Sequence, residues 1–399
     1  MSAPQLIVQK YGGSSLATTG QIRDVAARIA RLHEAGHPLI IVVSAMGKTT
    51  DQLVALAHEI SFAPSRRELD MLLTTGERVS MALMSMALND RNCPAISFTG
   101  SQAGVLTDEL HSNARIIDIK PTRVESELAQ GHVVVLAGFQ GVSPKTKEVT
   151  TLGRGGSDTT AVAMAAYFKA GRCEILKDVD GVHSADPNII QTTVHIPHLH
   201  YHALLDMTFW GAKVLHYRSV ELAALLNIPI KIALAHGEGA HTIIDGEAPM
   251  YEQARILSVN SHKEVVRLRV KTPNLAEAFK TLNDSLNKEN LPLPQLLDSE
   301  TEESACRLLI TAPQETLTAI RRMVAQNPVF EIDPIELSSV TATCQGAYAS
   351  PLPAEIAGVL NAAQIPLHKM IFGAMSVTVI VDAKNREQCI RLIHGLRPS

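Results

Sequence analysis

The segment PLIIVVS, Pro38–Ser44, does not alternate apolar with polar residues, so the strand it forms must be covered on both faces. Upstream, LIVQKY (Leu6–Tyr11) reads as an opening strand. Between them Ile22, Val25, Ala26, Ile29 and Leu32 recur at three- and four-residue spacing, which predicts a helix over Thr19–Glu34 ended by Gly36. The three pieces make a βαβ unit. Further strands are expected at Ala95–Phe98, His132–Ala137, Cys173–Lys177 and Pro229–Ala233, and helices over Leu69–Leu88, Thr122–Gln130, Ser157–Lys169 and Val214–Leu226. The fold class is therefore α/β: a mostly parallel sheet between helical layers, an αβα sandwich.

The stretch His236–Gln253 is rich in Gly and charge and places a domain boundary near residue 250. Beyond it the rhythm changes. Strands at Val265–Val270, Cys306–Ile310, Leu337–Thr343 and Ser376–Val381 are interleaved with helices at Leu275–Leu286, Glu315–Val324, Pro353–Ala363 and Asn385–Leu396. This third reads as two small α+β units, 251–330 and 331–399, behind a first domain of residues 1–250.

Charge narrows the choice of partners. Lys and Arg number 36 against 40 Asp and Glu, without a long block of either sign, so nucleic acid and anionic membrane are not expected partners. The apolar runs are too short to span a bilayer, and the first ten residues lack a signal-peptide pattern. Cys93, Cys173, Cys306, Cys344 and Cys389 are odd in number and never in CxxC spacing, which reads as reduced, buried thiols and a cytoplasmic setting.

Three loops carry chemistry. KYGGSS (Lys10–Ser15) lies between the first strand and the first helix; two glycines, a helix N-terminus and Lys10 suit a phosphate cradle, and an ordinary Gly-rich turn fits equally well. SAMGKTTD (Ser44–Asp51) ends the second strand on the same edge, with Ser44, Lys48, Thr49 and Thr50 as donors, and also reads as a helix start capped by Thr49 or Thr50. LGRGGSDTTA (Leu152–Ala161) says most: Arg154 can fork onto a carboxylate, Gly155 and Gly156 expose amides, and Ser157 or Asp158 caps the following helix.

These loops, with TTGERVSMAL (Thr74–Leu83), KDVDGVHSADP (Lys177–Pro187) and WGAKVLHYRSVELA (Trp210–Ala223), occur in an order and at a spacing that resemble the aspartokinases of the amino-acid kinase family. The resemblance is strong from about residue 5 to 235. It continues more weakly as tandem ACT-like units, clearest over His368–His394. It implies ATP- and Mg-dependent phosphorylation of the L-aspartate side-chain carboxylate to 4-phospho-L-aspartate. Lys10, Asp158 and Lys213 then take catalytic roles, with Lys10 stabilising the transferring phosphoryl group and Asp158 orienting the lysines. Lys10, Gly12, Gly13, Ser14, Ser44, Lys177, Asp178, His183, Asp186, Asn188 and Lys213 fall on the nucleotide side, and Thr50, Glu77, Arg154, Gly155, Gly156 and Ser157 on the aspartate side. The resemblance further implies a homodimer through the ACT-like region.

The chain departs from the family pattern in places. Lys177 replaces a usual Thr, His183 a Tyr, Asn188 an Arg, and Tyr217 a Pro. Neither VKTPNLAEAF (Val270–Phe279) nor CQGAYASPLPAE (Cys344–Glu355) carries the effector-binding glycine turn of ACT units, so at most weak inhibition by lysine or threonine is expected. A binding protein without turnover and a kinase for another small amino acid are the alternative readings. HLHYH (His198–His202) could present imidazoles on one strand face, but no carboxylate or cysteine completes a metal set, and Trp210 reads as packing.

Overall fold

The structure, a computed structural model, describes residues 5–61, 63–247, 255–288, 291–345 and 351–397. The chain divides into two compact units. The first holds residues up to Val182 together with His195–Thr208 and Lys213–Pro249, and the second holds His183–Val194, Phe209–Ala212 and Met250–Ser399. The boundary expected near residue 250 lies outside the described residues. No helix among those described is long and apolar enough to cross a membrane.

In the first unit, β1 (Ile7–Tyr11) and β2 (Leu39–Val43) are buried along their whole length, as the non-alternating pattern requires. Between them runs α1 (Thr19–Glu34), whose bounds match the sequence expectation; Thr18 and Gln21 form a capping box at its start. The chain continues through α2 (Thr49–Ile60), α3 (Arg66–Asn89), β3 (Ala95–Phe98), β4 (Val105–Thr107), β5 (Ile116–Ile119), α4 (Thr122–Ala129), β6 (Val133–Ala137), β7 (Gln140–Val142), β8 (Val149–Thr151), α5 (Gly156–Tyr167) and β9 (Arg172–Lys177). After β10 (Val182–His183) and β11 (His195–Ile196) come β12 (His198–His200), α6 (Tyr201–Phe209), α7 (Tyr217–Leu226), β13 (Ile230–Leu234) and β14 (His241–Asp245).

Eight of these strands form one sheet in the order β12-β14-β13-β9-β1-β2-β6-β3. Only β13 and β14 pair antiparallel; the other pairs are parallel. β1 is central, and Lys10 stands in register with Val42 on one side and Ile175 on the other. Helix α5 is buried from Gly156 to Ala165, polar in its first turns with Ser157, Asp158, Thr159 and Thr160 and apolar after them. A separate four-stranded sheet, β5-β4-β7-β8, was not anticipated.

The second unit is one antiparallel sheet with helices. It is built from β15 (Arg255–Val270), α8 (Leu275–Lys288), β16 (Gln295–Thr301), β17 (Cys306–Thr311), α9 (Gln314–Gln326), β18 (Phe330–Ile332), β19 (Leu337–Gln345), α10 (Leu352–Ala362), β20 (Lys369–Phe372), β21 (Ser376–Asp382) and α11 (Arg386–Gly395). The long β15 serves two cores. Its first half pairs with β19 and sends Ile256 and Val259 under α10 and α11; its second half pairs with β17 and β18 and sends Val266, Leu268 and Val270 under α8 and α9. The register shift between His262 and Val265 marks the handover. One α+β unit is thus nested inside the other, rather than following it as the ranges 251–330 and 331–399 describe. Leu309 and Ile380 point to the helix-free face and bury Trp210 with Val265, Leu297 and Leu337.

Candidate active site

Lys10 reaches across from β1 to the first turn of α5, where its Nζ lies 2.6 Å from Asp158 Oδ1. Both side chains are more than nine-tenths buried. Lys177, at the end of neighbouring β9, brings its Nζ to 4.0 Å from the other Asp158 oxygen and donates to the Val214 carbonyl. One carboxylate therefore serves two ammonium groups. Burial alone would raise the Asp158 carboxyl, but Lys10 and then Lys177 outweigh it and hold it below the usual carboxylate range. The Lys177 ammonium is lowered, by burial first, with Asp158 pulling the other way and Lys10 adding to the shift.

The two Gly loops meet beside this pair. The Gly12 N–H donates to Leu176 O at 3.2 Å, and the Gly47 N–H to Gly13 O at 2.9 Å. A Cβ on Gly13 would sit 2.6 Å from the Ala45 carbonyl oxygen, so only glycine allows the loops this close. Ser14 is exposed at the start of a 3-10 turn, and Ser44 and Thr50 are half-buried around the second loop. The cap expected from Thr49 or Thr50 is not made: α2 is capped by Lys48 without a side-chain bond, while the Thr49 hydroxyl donates to Met46 O.

Glu77 comes to the same loop from the middle of α3. Its Oε1 accepts the Ala45 N–H at 3.1 Å, while Oε2 has no hydrogen-bond partner among the described residues. Burial pushes this carboxyl up to about 7, against hydrogen bonds from its own N–H and from Ala45 and the charge of Lys10. Gly76 permits the approach, since a Cβ there would lie 2.8 Å from Ala45 Cβ.

The expected cap of α5 is corrected by the structure. Neither Ser157 nor Asp158 caps the helix; Gly155 does, at φ +69, and Asp158 is turned to Lys10. A Cβ on Gly155 would lie 2.1 Å from His216 Cβ, and one on Gly156 2.9 Å from Leu152 Cβ. Ser157 is buried against Gly138, and Arg154 is exposed. The helix expected over Val214–Leu226 begins only at Tyr217, because His216 is its cap. That leaves Lys213 exposed ahead of the helix, and the next residue accepts from Lys177. Asp178 is exposed too.

His183, Asp186 and Asn188 belong to the second unit. There Asp186 Oδ1 accepts from both the backbone N–H and the side-chain amide of Asn188 at 2.9 Å, and Thr193 Oγ1 is 3.2 Å from His183 Nδ1. The neighbouring Ala185 and Ile190 enter the core beneath α10 and α11. His198 pairs with Asp245 rather than with His200, and the strand ends before His202. All five cysteines are buried free thiols.

Sequence reasoning passed over Asp70, Thr74 and Ser80, which with Glu77 form a buried polar stripe at helical spacing on α3. That spacing in a Leu- and Met-rich helix was the available signal. It also gave no role to Arg218, whose partners come from distant loops.

A profile of the amino acid kinase family matches residues 5–233. The aspartokinase of Corynebacterium glutamicum is 43% identical over 316 residues, 77% of this chain and 75% of that protein. The aspartokinase of Geobacillus stearothermophilus is 35% identical over 395 residues, 98% of this chain and 96% of that protein. The chain belongs to the aspartokinases. Aspartokinase III of E. coli, solved with aspartate and ADP, superposes with a TM-score of 0.81 at 21% identity, covering 98% of this chain and 99% of that one; it shares the fold. In this chain Lys177 is a second cation beside Asp158, with Lys10 the first.

Proposed function

We propose that the chain transfers the γ-phosphoryl group of ATP to the side-chain carboxylate of L-aspartate, giving 4-phospho-L-aspartate, with Lys10, Asp158, Arg154 and Glu77 at the reacting centre. The observation that carries this assignment is the buried Lys10–Asp158 pair with Lys177 beside it. An aspartate carboxylate, with a pKa near 4, is already ionised at neutral pH, so the nucleophile needs no strong base. The barrier is instead the approach of two anions, which asks for preorganised cations and little reorganisation. Asp158 holds Lys10 in place for the equatorial phosphoryl oxygens, and the backbone at Gly12, Gly13 and Ser14 with Lys177 and Lys213 takes the polyphosphate.

Aspartate brings an ammonium and two carboxylates. Arg154 forks onto a carboxylate, the unpartnered Glu77 oxygen accepts from the ammonium, and Thr50 with the amides near Gly155 and Gly156 completes the set. Among the described residues no three His, Cys, Asp or Glu side chains are grouped to hold a metal, and Asp158 faces lysines. This donor set fits a Mg²⁺ that arrives on the nucleotide phosphates, where it would neutralise developing charge. The ACT-like unit serves as dimer contact, with at most weak inhibition by lysine or threonine, and the setting is cytoplasmic. Trapping the acyl phosphate with hydroxylamine tests the reaction. Product is expected with aspartate and ATP-Mg; its absence over a wide ATP range would favour a binding protein instead.

A further inference from the structure

The loop that carries Arg154 is held from two sides by residues that the reaction itself does not use. On one side is Asp70, fully buried on α3. Its Oδ1 accepts the Thr151 hydroxyl at 2.6 Å, both its oxygens receive the Ser112 N–H at 3.1 Å, and its Oδ2 lies 2.6 Å from His111 Nδ1. Ser112 sits at φ +66, a conformation residues with a side chain rarely adopt, and the carboxylate fixes it there. On the other side is Arg218, at the start of α7. Its guanidinium donates to Leu152 O at 2.6 Å, to Asn113 Oδ1 at 3.0 Å and to Ala114 O at 2.8 Å.

The two segments so gripped, 111–114 and 151–154, are also tied to each other. The Ala114 N–H donates to Thr151 O at 2.8 Å. Gly153, at φ +75, lies so close that a Cβ would be 3.0 Å from Ser112 O. Asp70 and Glu77 stand seven residues apart on one helix, two turns and the same face. One rigid element therefore holds Glu77 directly and the Arg154 loop through Asp70.

We infer that Asp70 and Arg218 are positioning residues for substrate binding: they clamp the double loop so that exposed Arg154 is held at a fixed place relative to Glu77. The inference rests on the reading of Arg154 as the residue that grips an aspartate carboxylate. Asp70→Asn and Arg218→Lys should each raise the aspartate KM by roughly tenfold, the scale of losing one buried charged hydrogen bond. Asp70→Asn should leave the ATP KM within about twofold, because it touches no nucleotide-side loop.

The deciding measurement is a double-mutant cycle against Arg154→Ala, since a residue acting through Arg154 loses its effect once Arg154 is gone. Loop variants that raise the aspartate KM in the native background and add little to Arg154→Ala support the clamp. Loop variants whose effects add in full to a raised KM in Arg154→Ala overturn the clamp alone. An Arg154→Ala variant with an unchanged aspartate KM overturns the substrate reading, and the clamp with it. If Asp70→Asn does not fold, Thr151→Val removes one bond, leaves the carboxylate in place and carries the same cycle.

Discussion

Lys10 and Asp158 touch where almost no solvent reaches, and removing one partner of such a pair ordinarily costs about 3–5 kcal/mol. Lys177 softens that loss here, because it remains beside the same carboxylate. Lys10→Ala is therefore expected to fold, with a lowered melting midpoint, and to lose kcat by orders of magnitude while the aspartate KM stays within a few-fold. A raised KM with unchanged kcat would make Lys10 a ground-state binder. Glu77 leads to a prediction in pH. Its carboxyl is raised to about 7 in the folded chain, so between the ordinary carboxyl range and 7 the folded state holds a proton that the unfolded state has released. Stability from this group is full at acid pH and is lost as pH rises through about 7. Glu77→Gln should accordingly raise stability at pH 8 by on the order of 2 kcal/mol and change little at pH 4. It should also abolish the rise in aspartate KM expected for the native enzyme as pH falls below 7. Equal melting shifts at both pH values would remove this account. Lys10, Arg154 and Asp158 were legible because each sits in or beside a Gly-rich loop whose composition suits an anion. Asp70 and Arg218 were not, because their partners, backbone groups with the side chains of His111, Asn113 and Thr151, are brought together only by the fold.

At the scale of elements, Gly155 shows why helix α5 starts where it does. The left-handed conformation at φ +69 turns the chain into the helix, and His216 occupies the space where a Cβ would stand. Gly131, at φ +82 with nothing within 4 Å of a Cβ, is the natural control. Gly131→Ala should cost only the backbone term, about 1–2 kcal/mol, and leave activity intact. Gly155→Ala adds a clash on the segment next to Lys213, and should lower the melting midpoint further and depress kcat/KM. Parallel melts and kinetics on the two variants check this; matched losses would mean that the clash relaxes freely. Six of the eight strands of the main sheet and the end points of α1 were readable, because an apolar run, or a capping box, leaves a pattern in the residues that the half-polar β12 and β14 lack. The four-stranded sheet was not. Its strands are three or four residues long, and some of what they bury is polar, with Thr107 and Thr150 sharing a hydrogen bond at 2.6 Å. The first half of β15 escaped notice for a related reason: Ser258, Asn260, His262 and Lys263 interrupt its apolar side chains.

For the whole molecule, the order of the chain and the order of the cores do not coincide. Ala185 and Ile190 are buried among Ile256, Val340 and Ile356, although their sequence lies inside the family-matched span. Phe209 and Trp210 likewise close over Val265, Leu309 and Leu337, three residues before Lys213. Cutting the chain after Glu247 removes every one of those later partners and leaves Trp210, Phe209 and the aliphatic side chains of Ala185 and Ile190 facing water. At roughly 25 cal/mol per Å² of apolar surface, and with large core side chains worth about 3–5 kcal/mol each when deleted, that loss rivals the stability of a typical domain. A chain of residues 1–247 is therefore expected to melt well below the full-length protein or to aggregate. Its single tryptophan should emit at the longer wavelength of a solvated indole. A truncated chain with the same midpoint, blue-shifted emission and native nucleotide binding would show that the first unit folds without the second, and that residues 183–194 and 209–212 find other cover.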